Sequence, residues 1–330
     1  MTPREKMLAL EAAMNRQVLG QENLVRMLVI ALLCDGHVLL EGLPGLAKTR
    51  AVRALAEHVE GEFRRIQFTP DLLPSDITGS EIYQQQATRE EDQFRFRPGP
   101  VFGNIILADE INRASARVQS ALLEAMEERH VTVAGKTWPL PGVFMVMATQ
   151  NPIDQEGTWP LPEAQLDRFL MKVQVGYPSK EHEQRVMQLV RQEQQARYQG
   201  EKPQTSNEPD VVLSPADIST CWRDIASLYV APAMEEYIVN LVAMTRTPSV
   251  VSEAFASYLA LGVSPRGTLA LDRCARAHAW LSGRDAVLPE DIHTVAPAVL
   301  RHRLLLSYQA SADNITADDA VQMLLDAVVA

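Results

Sequence analysis

The chain has 330 residues, of which 46% are hydrophobic and 22% are charged, and its formal net charge is −11. This length is enough for one large domain or two modest ones, each with its own hydrophobic core. The acidic balance disfavours proteins that hold nucleic acid through a broad basic face, although it does not exclude a local basic pore.

Membrane insertion and disulfide frameworks are also disfavoured. The longest apolar stretch, residues 28–34, is closed by Asp35 and is much shorter than the ~20 residues of a spanning helix. The N-terminus is charged and amphipathic, and it lacks the apolar core of a secretory signal. The three cysteines form no C-x-x-C pair, so they suggest neither a disulfide framework nor a zinc site. We therefore expect a cytoplasmic protein without membrane insertion.

The first predicted elements are two helices and a strand. Apolar residues recur at helical spacing from Met7 to about Leu33. Gly20, in the segment VLGQEN, can end one helix and let a second begin. The run HVLLEG, residues 37–42, is short, apolar and bounded by glycine, which is typical of a strand.

The segment GLPGLAKT, residues 42–49, joins this strand to the helical segment TRAVRALAEHVE. It differs from the phosphate-loop pattern G-x-x-x-x-G-K-[ST] only at Ala47, where the pattern has glycine. A glycine-rich turn between a strand and a helix points backbone N–H groups and the positive end of the helix dipole at one spot, which suits a phosphate. Lys48 would then reach the β- and γ-phosphates of a nucleotide, and the Thr49 hydroxyl would bind Mg²⁺. The alternative is a strand–turn–helix connection that merely contains Lys-Thr.

Ala47 is acceptable in such a loop if its backbone is helical. Alanine has the smallest side chain after glycine and is an excellent helix former, so we expect right-handed helical dihedrals at this position.

Three further runs, FRRIQFT, NIILADE and GVFMVMATQN, are short, apolar and β-branched-rich, and they alternate with helical segments. This alternation predicts an α/β fold with a parallel sheet that has helices on both faces. In such sheets, ligands bind at the carboxyl ends of the strands.

Two insertions interrupt the alternation. Residues from about 72 to 98 are rich in polar, Gly and Pro residues but end in the alternating FRFR, which predicts a short β element. Residues from about 129 to 141, RHVTVAGKTWPLP, predict a β-hairpin that turns at Ala134 to Lys136.

Polar residues follow two of the predicted strands. Asp109 and Glu110 end NIILADE, and two carboxylates at a strand end suit ATP hydrolysis, one to hold Mg²⁺ and one to activate water. Asn151 follows MVMATQ, where its amide can hydrogen-bond the attacking water or the γ-phosphate. An acidic strand cap and a strand that simply emerges into solvent are the alternatives.

Two arginines lie in apolar or turn contexts, Arg168 in LPEAQLDRFL and Arg266 in VSPRGTLAL. A guanidinium supplies the forked, permanent charge that stabilises phosphoryl transfer, although an exposed arginine is most often only a solvated charge. Other chemistries find no support, because the chain has no H-E-x-x-H, its GVSPRG is not G-x-S-x-G, and GLPGLA is not G-x-G-x-x-G.

The last part of the chain changes character. A charged helix, residues 179–198, runs into a polar, Pro-containing stretch, and from residue 211 onward helical signals dominate, including the SYLALG region. We predict a nucleotide-binding core over residues 1–200, a linker over 201–212 and a small all-helical domain over 213–330.

Together, the segments GLPGLAKT, LADEINRA, ATQNPIDQEGTWPLPEAQLDRFL, SPRGTLAL and VLRHR resemble the MoxR family of AAA+ ATPases, and the likeness spans nearly the whole chain. In that family G-x-P-G-x-A-K-T is the usual Walker A form, which makes Ala47 a family trait. The resemblance implies that the two insertions are the helix-2 insert and the pre-sensor-1 hairpin, and that the helical C-terminal region is a lid.

The resemblance also implies roles for the residues named above. Asp109 and Glu110 would form the Walker B pair, and Asn151 would be the sensor-1 residue. Arg168 would be the arginine finger that reaches a neighbour's nucleotide, and Arg266 would be the sensor-2 arginine of the lid.

VLGQEN is similar to the segment that borders the adenine in AAA+ proteins. Arg113, in the INRA segment, would be a further interface arginine, and Mg²⁺ would be held by Thr49 and Asp109. The residues expected to contact the nucleotide are Val18, Gly20, Gly42, Leu43, Pro44, Gly45, Leu46, Ala47, Lys48, Thr49, Arg50 and Arg266.

The implied function is that of an ATPase motor with chaperone-like action, which binds ATP, ADP and Mg²⁺ and works as a ring, commonly a hexamer. Its client would be a protein complex, often one with a von Willebrand factor A domain protein. A helicase-like nucleic-acid motor is an alternative, in which Arg95, Arg97 and Lys136 would touch a backbone. A scaffold that switches on nucleotide binding without turnover is a third.

Overall fold

The computed structural model describes residues 1–43, 45–83, 94–152, 157–199 and 211–329. The strands are β1 (Val38–Gly42), β2 (Phe63–Gln67), β3 (Gly79–Tyr83), β4 (Phe94–Pro98), β5 (Ile105–Asp109), β6 (His130–Val133), β7 (Lys136–Pro139), β8 (Met145–Gln150), β9 (Met171–Val175), β10 (Leu259–Leu261) and β11 (Leu305–Leu306). The helices are α1 (Pro3–Gln17), α2 (Glu22–Leu33), α3 (Lys48–Glu57), α4 (Pro74–Thr78), α5 (Ala116–Glu128), α6 (Glu163–Leu166), α7 (Lys180–Gln199), α8 (Pro215–Ala226), α9 (Pro232–Arg246), α10 (Glu253–Tyr258), α11 (Pro265–Leu281), α12 (Pro289–Leu300), α13 (Tyr308–Ala312) and α14 (Ala317–Ala327).

The core is a five-stranded parallel sheet in the order β2-β5-β8-β1-β9. Successive side chains of a strand point to opposite faces, and in β1 the two faces belong to different layers. Val38 and Leu40 join one buried cluster, and Leu39 joins the other. Helices cover both faces of the sheet, so strands such as β1, β5 and β8 are buried on both sides. This burial explains why their sequences are apolar along their length. The predicted α/β fold class, a P-loop core with a helical C-terminal region, is confirmed.

The four predicted strands of the sheet are present, and a fifth, β9, was not predicted. β9 pairs with β1 at the edge of the sheet, where Lys172 contacts Glu41 at 2.8 Å. Its sequence MKVQV alternates apolar and polar residues over only five positions, so it carries a weak signal by itself.

The two insertions are β structures that pack on each other. β3 and β4 pair antiparallel, as do β6 and β7, and the β6–β7 turn has positive φ at Ala134 and Gly135, as a two-residue hairpin requires. Phe96 of β4 stacks on Trp138 of β7, with ring centroids 4.6 Å apart. The middle of the first insertion, residues 84–93, lies outside the described residues.

The C-terminal region is helical with one small β addition. β10 and β11 pair antiparallel, so the helical prediction for SYLALG is wrong for Leu259 to Leu261. These residues leave α10 and pair with the chain that returns after α12, and this long-range pairing has no local signal. Among the helices that are described, none is long and apolar enough to cross a membrane.

The C-terminal helices pack tightly on the first helices of the chain. One buried cluster runs from α1, α2 and β1 into α8, α9, α11 and α12, and the Trp222 indole donates to the carbonyl of Leu32 at 2.9 Å. Most of the predicted linker, residues 201–210, lies outside the described residues, whereas Leu213 is buried and hydrogen-bonds to His58 and Glu60. The division at 200 and 213 stays a prediction.

Candidate nucleotide site

The loop between β1 and α3 is shaped for close backbone approach. A side chain at Gly42 would bring its Cβ to 2.6 Å from the carbonyl oxygen of Val175, so only glycine fits between β1 and β9. Gly45 has φ of +84° with open space around it. Leu46 is buried, and Leu43 packs against the same cluster, so the loop is anchored to the core. Pro44 lies outside the described residues.

The expectation of a right-handed helical backbone at Ala47 is wrong. Ala47 has φ of 60° and ψ of 11°, which is left-handed, and it is the N-cap residue directly before α3. Alternating left- and right-handed residues turn successive N–H groups toward one side, which makes a nest for an anion. Alanine pays roughly 1 kcal/mol for this conformation. The loop geometry, rather than the helix propensity of alanine, decides the dihedrals.

Lys48 reaches across the loop. Its Nζ donates to the carbonyl oxygen of Gly42 at 2.5 Å and to that of Gln150 at 3.4 Å. It therefore spans the carboxyl ends of β1 and β8. Thr49 follows as the second residue of α3, half-buried beside it.

Arg50 ties the loop to the N-terminal segment and to α7. Its Nε donates to the carbonyl of Gln17 at 2.7 Å, and its guanidinium pairs with Glu193 at 2.5 Å. Val18 is buried. A Cβ at Gly20 would lie 2.8 Å from the side chain of His182.

The adenine-bordering segment predicted around Val18 to Gln21 thus lies beside the start of α7. Gln21 Nε2 also donates to the carbonyl of Gly176 at 2.9 Å. The contacts made by Gly176, His182 and Glu193 were not foreseen.

The two acidic residues at the end of β5 are held by a network from neighbouring strands. Thr149 Oγ1 donates to Asp109 Oδ1 at 2.6 Å and accepts from the backbone N–H of Glu110 at 2.8 Å. Arg65 pairs with Asp109 at 2.7 Å. Glu110 Oε2 accepts from Gln67 Nε2 at 3.1 Å.

Arg113 also contacts Glu110, with its Nε 3.1 Å from Oε2. Sequence reasoning did not single out Arg65 or Gln67. Both lie on β2, which neighbours β5 in the sheet. Gln67 ends this strand, so its polar side chain at a strand end was the available signal, whereas Arg65 lies in the middle of the strand.

Asn151 is buried and directly follows β8. Because β5, β8 and β1 are adjacent in the sheet, their carboxyl ends bring Asp109, Asn151 and Lys48 to one edge. The ammonium, hydroxyl, carboxylates and loop N–H groups of this edge fit a magnesium nucleotide. In the described ranges no cluster of three or more His, Cys, Asp or Glu could hold a metal alone, and Mg²⁺ is normally held by few carboxylates together with phosphate oxygens.

Arg168 and Arg266 lie at the amino ends of the strands, on the side of the sheet opposite the phosphate loop. Both pair with Glu127 near the end of α5: Arg168 reaches Oε2 at 2.9 Å, and Arg266 contacts Oε1. They line a cavity of about 330 Å³ with Gly36 and His37, which precede β1. β1 has five residues, and at ~3.3 Å per residue it separates this edge from the phosphate loop by roughly 16 Å. The structure therefore does not bring Arg266 or Arg168 to the phosphate loop of its own chain.

Hydrogen bonds tie the segments that carry these two arginines. Asp167 accepts from Ser264 Oγ at 2.7 Å and from Arg303 Nε at 2.8 Å. Arg303, which ends the VLRHR segment, also donates to the carbonyls of Phe169 and Leu170 at 2.7 and 3.1 Å. The start of α11 and the residues before β9 are thereby held together.

His37 closes the inner wall of the cavity. Its Nδ1 accepts from the backbone N–H of Val146 at 3.0 Å, and its Nε2 lies 3.3 Å from the carbonyl of Met126. Burial, with the nearby Arg129 charge, lowers the pKa of His37 to about 3. His37 is therefore neutral at physiological pH.

Two family models match the chain. The ATPase family associated with various cellular activities (AAA) matches residues 37–171, and the AAA lid domain matches residues 252–324. The first covers the phosphate loop, both acidic residues and Arg168, and the second covers Arg266.

Individual relatives match along nearly all of the chain. Chaperone MoxR1 of Mycobacterium tuberculosis is 47% identical over 95% of this chain and 79% of its own. Protein MoxR of Paracoccus denitrificans is 34% identical over 90% of this chain and 88% of its own. The crystal structure of a Cytophaga hutchinsonii protein assigned as an ATPase has a TM-score of 0.88 and 43% identity, and the match covers 99% of this chain and 95% of that one.

Proposed function

Because the chain belongs to the MoxR family of AAA+ ATPases, we propose that it hydrolyses ATP with Mg²⁺ in a ring of identical subunits and uses the energy to remodel or mature a partner protein complex. The single observation that supports assembly into a ring is the position of Arg168 and Arg266. Both guanidiniums lie at the sheet edge opposite the phosphate loop. An arginine there can serve phosphoryl transfer only at the nucleotide of a neighbouring subunit.

Each residue of the loop edge has a distinct task in this proposal. Bound ATP and Mg²⁺ supply the phosphoanhydride bond and the charge that activates it. Lys48 holds the β- and γ-phosphates, while Thr49 and Asp109 hold the metal. Glu110 accepts a proton from the attacking water, and Asn151 orients that water.

Thr149 supports the two carboxylates. Its hydroxyl donates to Asp109 and accepts from the Glu110 backbone, so it fixes the spacing between the metal ligand and the base. Gln67 and Arg113 contact the Glu110 carboxylate and restrict its rotation.

Arg168 and Arg266 act from the next subunit in this proposal. A guanidinium aimed at the transferring phosphate stabilises the charge of the transition state. Arg168 is the finger from the core, and Arg266 is the sensor-2 residue from the lid. Since Arg266 stands at the start of α11, loss of the γ-phosphate would release the lid and let subunits rotate against each other.

The proposed assembly is a hexamer in the cytoplasm, and the proposed client is a protein. The name of the Mycobacterium tuberculosis relative, a chaperone, supports a protein client. A partner with a von Willebrand factor A domain is the specific candidate that the family suggests. The packed pair of insertions, joined through Phe96 and Trp138, gives the ring a continuous surface for client contact.

A mixing experiment tests the shared site. Arg168→Ala should bind ATP yet be inactive, because it cannot complete its neighbour's site. Lys48→Ala should be inactive because it does not bind ATP. Mixed rings should regain activity, since a Lys48→Ala subunit supplies Arg168 to the intact nucleotide site next to it. Full activity of Arg168→Ala, or of the wild-type chain as a strict monomer, would overturn the proposal.

A further inference from the structure

Glu127 stands out because no motif of the sequence includes it, yet it contacts both arginines. Each carboxylate oxygen takes one guanidinium, Arg168 on Oε2 and Arg266 on Oε1. The two arginines come from different parts of the chain, Arg168 from the segment before β9 and Arg266 from the first turn of α11. Glu127 itself comes from a third element, α5.

The backbones of the two arginine segments are already fixed by other groups. Asp167, next to Arg168, accepts from Ser264, two residues before Arg266, and from Arg303. Asp167 thus sets where the two side chains start. It does not set where the guanidiniums end, because an arginine side chain is long and flexible.

Electrostatics makes a carboxylate necessary at this point. Two guanidiniums that converge on one place repel each other, and an anion between them offsets this repulsion. Arg129 and Arg303 also line the cavity, but they pair with Asp35 and Asp167, so Glu127 is the carboxylate that faces Arg168 and Arg266. Without Glu127, Arg168 and Arg266 would separate.

The ion pairs leave donors of both arginines available. A guanidinium has five N–H donors, and each arginine approaches Glu127 through its Nη2. The Nε of Arg168 is buried, so only the Nη donors of this arginine can reach a phosphate of a neighbouring subunit. Each arginine can therefore keep its contact with Glu127 and still donate to a phosphate.

We propose that Glu127 is a positioning residue, which holds the guanidiniums of Arg168 and Arg266 at one spacing so that both reach the same phosphate of the neighbouring subunit's nucleotide. This inference rests on the proposed function, since it specifies how the shared site is organised. Glu127 touches no substrate in this role and acts through the two arginines.

Steady-state ATPase kinetics of assembled rings test the role. Glu127→Gln keeps the size of the side chain and removes its charge, and it should lower kcat about tenfold. KM for ATP should stay unchanged, because the phosphate loop of the same chain is untouched. Glu127→Asp keeps the charge but is shorter by one methylene, and it should recover part of kcat. Glu124→Gln is the matched control, one turn earlier on α5 and exposed, and it should leave kcat unchanged.

A double variant tests the route of the effect. If Glu127 acts through the two arginines, Glu127→Gln should slow the Arg266→Ala variant by less than it slows the wild type, because only Arg168 remains for it to position. Ring assembly of each variant is measured by light scattering. An additive loss, an unchanged or raised kcat for Glu127→Gln, or a failure of Glu127→Gln to assemble would each overturn the positioning role.

These outcomes separate the inference from the proposed function. Full activity of Arg168→Ala and Arg266→Ala rings would contradict the proposal that the nucleotide site is shared between subunits. Inactive arginine variants with a fully active Glu127→Gln would leave the shared site standing and remove only the role of Glu127.

Discussion

Substitution of Ala47 tests whether the left-handed backbone of the phosphate loop governs nucleotide binding. With φ at 60°, alanine loses roughly 1 kcal/mol that glycine would not. Ala47→Gly relieves this strain but gains about 0.4–1 kcal/mol of unfolded-state freedom, so the free energy of unfolding should barely change. ATP affinity of Ala47→Gly should match the wild type.

Ala47→Val should behave differently, because a β-branched residue is an outlier at positive φ. Strain of roughly 1–3 kcal/mol is expected, and about 1.4 kcal/mol corresponds to a tenfold loss of affinity. Ala47→Asn is the matched control, since asparagine is close to valine in size but tolerates the left-handed region.

The assay is equilibrium titration with a fluorescent ATP analogue, with denaturant unfolding of each variant to separate binding from folding. The expected affinities run from wild type and Ala47→Gly, through Ala47→Asn, to Ala47→Val. Tight binding by Ala47→Val, or loss of binding by Ala47→Gly, would refute the reasoning.

Two further predictions concern the catalytic edge and the buried histidines. Lys48→Ala should lose nucleotide binding, whereas Glu110→Gln should bind ATP and hydrolyse it at least ~10²-fold more slowly, because it lacks the general base; normal turnover of Glu110→Gln in a phosphate-release assay would contradict the role of Glu110. Burial lowers the pKa of His37 to about 3, and it also lowers the pKa of His302 well below its ordinary value. Below about pH 6.5 the unfolded chain therefore binds more protons than the folded chain. The contribution of the neutral histidines to the free energy of unfolding is complete above that pH and is lost as the pH falls. His37 alone should cost about 2 kcal/mol of unfolding free energy at pH 5, which is 1.5 pH units below its ordinary pKa. Urea unfolding at pH 7 and pH 5 should show a smaller loss in His37→Gln than in the wild type, and an equal loss would contradict the assignment.

The sequence by itself determined the elements whose signals are local. The apolar runs of β1, β5 and β8 predicted the sheet, because strands buried on both faces must be apolar along their whole length. Their last residues predicted the edge that gathers Lys48, Asp109 and Asn151, because parallel strands end on the same side. The hairpin at Ala134 and Gly135 followed from turn chemistry, since few residues accept positive φ.

The backbone conformation of Ala47 could not be predicted without the tertiary structure. Helix propensity favoured right-handed dihedrals there, but the loop between β1 and α3 must turn, and this global requirement overrode the local preference. β9 was not predicted for a related reason. A five-residue alternating run becomes a strand only when a partner such as β1 lies beside it.

The grouping of Arg168, Arg266 and Glu127 was also decided by the fold alone. These residues are up to 139 positions apart, and spacing along a chain says nothing about contacts at such separation. The motifs named the two arginines, but only the packing of α11 and α5 around the amino edge of the sheet showed that one carboxylate holds both. The sequence therefore determined which groups can do the chemistry, and the tertiary structure decided which of them meet, because long-range packing sets where the side chains of distant elements converge.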